Sequence, residues 1–305
     1  MKPDQDQRKK RVALTSLCAA LVLTGIKIVV GVLTGSLGIL AEAAHSGLDL
    51  VAAAATLFAV RTASRPPDHE HRYGHGKVEN LSALFETVLL LATCAWIVYA
   101  ALHRLIDGVG EVEVTVWSFV VMLTSISIDW SRSRALYRVA KETNSQALEA
   151  DALHFQTDIW SSGVVIAGLA GVQFAKWIPS AGWLRNADAV SALAVAAIAG
   201  LVTVRLGMRT IHALMDAAPA DIEGRIIRAA ESVSGVADCH NVRFRYSGPT
   251  LFVDAHVSMD GSLPLRRAHE IADSVESAVQ SELPDADVTV HCEPITVAGN
   301  QPPAE

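Results

Sequence analysis

At 305 residues, 51% of them hydrophobic and 19% charged, the chain is more apolar than an ordinary soluble domain. Its formal net charge of −7, with no concentrated basic face in its polar part, argues against a nucleic-acid partner. Cys18, Cys94, Cys239 and Cys292 have neither zinc-ribbon nor redox spacing, so reduced thiols and no disulfide are expected.

The polar segment 1–11, MKPDQDQRKKR, leads into an apolar stretch without a small-residue cleavage site, so no cleaved signal peptide is expected. A helix needs about 20 residues to cross the hydrocarbon core, and apolar runs of that order recur up to residue 214. They place six transmembrane helices at 12–34, 37–60, 80–104, 113–131, 147–175 and 187–211 within a membrane domain over 12–214. The second, third and fifth spans carry acids or histidines inside the apolar run, which is costly unless those groups face a protein interior or a water cavity. These spans are expected to form the functional interior. Lys27, a lone charge in the first span, reads as a snorkelling or paired group without a transport role.

Basic residues cluster on one side of the spans: Lys2, Arg8, Lys9, Lys10 and Arg11, then Arg61, Arg65, Arg72 and Lys77, then Arg132, Arg134, Arg138 and Lys141. The other side has Arg104, Lys176 and Arg185. The positive-inside rule then places both termini in the cytoplasm of a multi-pass inner-membrane protein.

Beyond 214 the pattern changes to a helix at about 220–233, strands at 238–247 and 250–259, a helix at 265–280 and a strand at 286–293. This predicts a compact cytoplasmic α+β domain of αββαβ order over 215–294, followed by a disordered tail at 295–305.

Two short patterns carry the chemistry. In the second span AEAAHSGLDL places His45 and Asp49 four residues apart, on one helix face. In the fifth, ADALHFQTDIW repeats that order and spacing with His154 and Asp158. One such pair is as easily a polar contact within a bundle, but two in separate spans double the burial cost, and a shared cation offsets it. Four nitrogen and oxygen ligands suit a tetrahedral, zinc-type ion. Glu42 and Asp151 each precede a histidine by three residues and stand as partners that orient a ligand, as cavity-lining groups, or simply as acids near the membrane edge. Metal binds neutral imidazole and carboxylate, so loading displaces protons, and metal-for-proton antiport follows as the natural hypothesis.

These paired motifs, joined by PPDHEHRYGHGKVENLSALFE, resemble the cation diffusion facilitator family over roughly residues 10–294. The resemblance implies a second metal site at Asp68, His71 and His75, with His69 outside the pattern. Glu79 either orients that site or favours the dipole at a helix start. In the tail, GVADCHNVRFRY through DVTVHCEP resembles the family's ferredoxin- or metallochaperone-like cytoplasmic domain. It implies a metal cluster of His240, His256, His291 and Glu293, with His269 as an additional ligand. Alternation along the last strand puts His291 and Glu293 on one face and Cys292 on the other. The resemblance further implies homodimerisation through this domain and a charged interlock between Lys77 and Asp216 near the dimer interface.

The resulting expectation is a proton-coupled exporter of divalent transition-metal ions rather than an enzyme. Zinc comes first, both transported and structural or regulatory; Fe(II), Cd(II), Co(II) and Ni(II) are alternatives, and no organic cofactor is expected. The two His/Asp pairs resemble the family's zinc and cadmium exporters, whereas the cytoplasmic cluster resembles the zinc/iron branch, in which Asp often replaces His45. No GxxxxGK[ST] phosphate loop is present. The alternative reading is a membrane-anchored metal-binding regulator or scaffold with little transport.

Overall fold

The computed structural model describes residues 3–34, 37–107, 116–175, 187–217, 222–248, 250–284 and 286–295. The chain divides into a helical unit, residues 2–211, and a smaller unit, 212–305.

The helical unit is built from α1 (Pro3–Thr34), α2 (Leu37–Ala63), α3 (Lys77–Asp107), α4 (Val116–Thr143), α5 (Gln146–Ala175) and α6 (Ala187–Leu214). Among the described residues, the stretches Asp4–Leu33, Ala43–Ala63, Lys77–His103 and Ala192–Leu214 are long and apolar enough to cross a membrane. Helix α1 packs on α2 and α4, and α5 packs on α4, α3 and α2. Small residues permit the close approach: Ala52 and Ala53 on α2, and Ala147, Ala150 and Ala152 on α5, are all buried.

Polarity in this unit is reversed from that of a water-soluble bundle. Leu33 is 81% exposed and Ile106 80%, whereas Lys9, Glu79, Glu86 and Asp151 are at most 1% exposed. Apolar side chains lose nothing by facing lipid, whereas polar groups there must find partners within the protein. Many do so. Lys27 Nζ donates to Ser46 Oγ at 2.7 Å, and the Arg132 guanidinium donates to Ser16 Oγ at 3.1 and 3.3 Å while lying 3.7 Å over the Phe155 ring.

Two helices run well past their apolar spans. Helix α1 starts at Pro3, within the segment expected as a polar extension, and α4 continues to Thr143 through the basic stretch read as a connection. Hydrophobic length marks the hydrocarbon, not the helix, and good helix formers carry the backbone hydrogen bonding on into the polar zone. Lys9 and Arg132, counted among the orienting charges, accordingly lie inside the bundle.

The smaller unit contains α7 (Glu223–Glu231), β1 (Asp238–Ser247), β2 (Thr250–Met259), α8 (Leu265–Glu282) and β3 (Ala286–Pro294), the expected αββαβ order. Strands β1 and β2 form an antiparallel hairpin, and β3 joins β2 in parallel after the α8 crossover. Alternation along β2 buries Leu251, Val253, Ala255, Val257 and Met259 against Ile226 of α7 and Ile271, Val275 and Val279 of α8. His256 belongs to the opposite, uncovered face. Of the expected tail, Ile295 donates its N–H to Met259 O at 2.9 Å, and 296–305 lie outside the described residues.

Candidate metal centres

The two His/Asp pairs of α2 and α5 meet in a closed ring of residues that alternates imidazole and carboxylate. His45 Nε2 lies 3.9 Å from Asp49 Oδ1 along α2, and His154 Nε2 lies 3.6 Å from Asp158 Oδ2 along α5. Between the helices, Asp49 Oδ1 is 3.0 Å from His154 Nε2, and His45 Nε2 is 3.6 Å from Asp158 Oδ1. A tetrahedral zinc ion with bonds of about 2.0–2.1 Å needs donor atoms about 3.3–3.5 Å apart; His45 and His154 approach different oxygens of Asp158, and one ligand atom each from His45, Asp49 and Asp158 lie within 4.8 Å of one another. Asp49, His154 and Asp158 are buried, and His45 is half-buried.

Polar groups around this ring are incompletely paired. Among the described residues, His154 Nδ1 and Asp158 Oδ2 are buried without a hydrogen-bond partner. Glu86 of α3 is fully buried as well; its Oε1 accepts a hydrogen bond from Thr56 Oγ1, while its Oε2 accepts none from the described residues. Glu86 went unnamed in the sequence reading, although a lone acid within SALFETVLLLA is the signal that marks it. The Glu42 side chain lies outside the described residues.

A second group forms in the loop after α2. Pro66 and Pro67 prevent continuation of the helix, and Asp68 turns the chain by accepting the N–H groups of Glu70 at 3.0 Å and His71 at 2.6 Å. Gly74, at φ 75°, supplies the left-handed residue that brings His75 back. Asp68 Oδ1 then lies 3.3 Å from His71 Nδ1, and Asp68 Oδ2 lies 3.2 Å from His75 Nε2. The backbone N–H of His71 is the main influence holding the Asp68 carboxyl below its usual range. The imidazoles stack 4.5 Å apart, so three ligand atoms converge without any contribution from His69. Glu79 takes no part in this group: Lys9 Nζ donates to it at 2.7 Å, and so does Ser145 Oγ.

The third group is set by strand register. His240, His256 and His291 occupy one row across the sheet, His240 opposite His256 and His256 opposite His291. Their rings stand 5.8 and 4.7 Å apart. Glu293, two residues along β3 on the same face, reaches His256 Nδ1 at 2.8 Å and His240 Nε2 at 3.2 Å, with His291 Nε2 at 3.7 Å. The His256 hydrogen bond is the main influence depressing the Glu293 carboxyl. Asp238, absent from the expected set, holds His240 Nδ1 at 2.8 Å, the type of outer partner that orients a ligating imidazole. His269 lies exposed on α8, 3.8 Å from Asp273, and among the described residues the three whose ligand atoms lie within 4.8 Å of one another are His240, His256 and Glu293.

Lys77 and Asp216, the expected interlock, fall in different units. Lys77 opens α3, whereas Asp216 follows α6 at φ 59°, with Oδ2 3.6 Å from Arg245 Nη1.

Residues 13–215 match the family model for the cation efflux transmembrane domain, and 218–295 match that for the cation efflux protein cytoplasmic domain. The chain is 34% identical to the cation-efflux pump FieF of Serratia proteamaculans, covering 97% of this chain and 96% of that protein. It is 35% identical to the FieF of Salmonella paratyphi A, covering 94% and 92%. A solved MamM CTD variant is 31% identical over 24% of this chain and 94% of its own, with a TM-score of 0.24. Two family models that together span nearly the whole chain, and full-length relatives above 30% identity, place it plainly: this chain belongs to the cation efflux, or cation diffusion facilitator, family of divalent-metal transporters.

Proposed function

We propose that the protein exports divalent transition-metal cations from the cytoplasm, zinc first, in exchange for protons. The observation that supports this reading best is the closed His45–Asp49–His154–Asp158 ring, with edges of 3.0–3.9 Å, between two helices of the membrane unit. All six long helices cross the inner membrane in this reading, with both termini on the cytoplasmic side.

Charge balance supplies the coupling. A dication held by two carboxylates and two neutral imidazoles gives a site of no net charge, which a low-dielectric interior tolerates. Without the ion, two buried carboxylates require compensating charge, and protons on the imidazoles or carboxylates provide it. Exchanging one cation for protons keeps the site near neutrality on both sides of the transport cycle. Motion of the α2–α5 pair against the rest of the bundle then exposes the ring alternately to the two aqueous phases.

The remaining groups serve the cytoplasmic side. Asp68, His71 and His75 form an accessible secondary metal site, and His240, His256, His291 and Glu293 form a metal cluster that stiffens a homodimer of the cytoplasmic domain. A second reading, a metal-binding regulator or scaffold that conducts little, draws support from the exposed cytoplasmic cluster alone. Zinc flux into reconstituted vesicles with an imposed pH gradient separates the two. The transport reading expects gradient-dependent flux that is abolished in Asp49→Ala and Asp158→Ala. Stoichiometric zinc binding without flux of zinc, iron, cobalt, nickel or cadmium would favour the regulator.

A further inference from the structure

A cleft of about 380 Å³ opens between α4, α5 and α6, and none of the residues of the three metal-binding groups lines it. Leu153, Val202 and Leu206 give it an apolar lining, while Arg205 and Arg209 of α6, one turn apart, Tyr137 of α4 and Gln156 of α5 are among its polar groups. Glu149 is the acid in its lining, and it is already engaged by Arg209 and, at 3.6 Å, by Lys141. The local balance of Arg205, Arg209 and Lys141 against Glu149 is positive.

Arg205 is the informative residue. It is exposed, it lies nine positions before Leu214 at the end of α6, and no ion pair engages it among the described residues. At 1.5 Å per residue that is about 14 Å inside the helix end, within a stretch apolar enough to span a membrane. A guanidinium facing lipid at that depth must snorkel or find an anion. The neighbouring surface of α6 carries the exposed Ile198, Leu201, Val204 and Met208, which suit acyl chains. A cation site is disfavoured here by two arginines, and an apolar ligand would leave Arg205 without a counter-charge.

We propose that this cleft binds an anionic phospholipid of the surrounding bilayer, its phosphate held by Arg205 and Arg209 and its acyl chains laid along α6. Basic pockets between membrane helices take acidic headgroups by the same physics, with bidentate guanidinium–phosphate contacts adding geometric selectivity. The inference rests on the membrane location of the helical unit and is independent of which metal is carried or how transport is driven.

The test uses the full chain in vesicles that mix phosphatidylcholine with phosphatidylglycerol, followed by native mass spectrometry to count retained lipid. Wild type should retain phosphatidylglycerol in preference to phosphatidylcholine. Arg205→Gln/Arg209→Gln should lose that preference by about fivefold per arginine removed. Arg134→Gln/Arg138→Gln makes the same charge change on an exposed part of α4 outside the cleft lining and should retain it. Circular dichroism and the unfolding midpoint in detergent report whether each variant is folded, and Arg205→Lys should restore part of the retention. Equal retention in wild type and the cleft variant would overturn the proposal, as would equal loss in both double variants. So would stabilisation by inorganic phosphate as large as that by the lipid, or a changed oligomeric state with lipid retention intact, which assigns the cleft to a second copy.

Discussion

Lys9 and Glu79, seventy positions apart, form a 2.7 Å ion pair with neither side chain more than 1% exposed. It ties the first turns of α1 to the start of α3, and Ser145, in the α4–α5 turn, donates to the same carboxylate. Asp6 stands 3.8 Å from the Lys9 ammonium and extends the network. The start of α1, the start of α3 and the α4–α5 turn thus converge on one buried charge pair.

Removing one member strands the other charge in a low dielectric, which costs about 3–5 kcal/mol. Lys9→Met and Glu79→Leu should each lower the unfolding midpoint in detergent. Lys9→Met combined with Glu79→Leu should be less destabilised than the sum of the single variants. Strict additivity in that double-mutant cycle would show that the two side chains do not interact.

The ring of the membrane unit was legible because a His-x-x-x-Asp pattern fixes both side chains on one helix face, whatever the helix packs against. Lys9 was not legible, because a lysine in a polar, basic segment has no periodicity to mark it as interior. Its partner Glu79 had two local explanations, the dipole at the start of α3, where the structure places it, and the metal site, from which Lys9 and Ser145 draw its carboxylate. In the smaller unit the αββαβ order followed from alternation and turn residues. The single row of His240, His256 and His291 did not, because register depends on the irregularity between His240 and Arg243, which spacing cannot place.

Gly207 lies where α6 meets α3, and a Cβ there would stand 2.6 Å from Thr87 Cγ2. Thr87 cannot easily turn away, because its Oγ1 donates to Ala83 O at 2.7 Å and a β-branched side chain has few helical rotamers. Gly207→Ala should therefore destabilise by about 1–3 kcal/mol despite its better helix propensity. Thr87→Ser removes the offending methyl, so the pair Gly207→Ala/Thr87→Ser should recover most of the loss. A Gly207→Ala protein as stable as wild type, by unfolding in detergent, would falsify this account of the contact.

Glu293 makes the cytoplasmic sheet sensitive to acid. Its carboxyl is depressed below the ordinary 4.5, first by the His256 hydrogen bond and further by the neighbouring His240. A depressed carboxyl contributes stability that is present above its unfolded-state pKa and disappears as pH falls through the folded-state value. The window therefore begins near pH 4.5 and extends downward. Hydrogen-exchange protection of β3, corrected for the intrinsic rate, should decline across that window in wild type. Glu293→Gln should flatten the decline at a lower overall protection, and an unchanged profile in the variant would assign the acid sensitivity elsewhere.

Cys239 and Cys292 each adjoin a residue of the cytoplasmic cluster in sequence but differ in environment. Cys239 is 4% exposed beneath the sheet, and its thiol is pushed up to about 11, first by burial and then by Glu231 and Asp238. Cys292 is exposed, with a thiol raised by desolvation alone. Alkylation requires thiolate, so at pH 7.5 the Cys239 rate should be at least about 100-fold below that of a free thiol, with restricted access slowing it further. Peptide mass spectrometry after timed maleimide treatment should find Cys292 modified first, and both modified at similar rates in denaturant. Rapid labelling of Cys239 in the folded protein would place its sulfur on the open face beside His240 and make it a competitor for metal there. Slow labelling instead leaves imidazole and carboxylate as the donors, the ligand chemistry shared with the ring in the membrane.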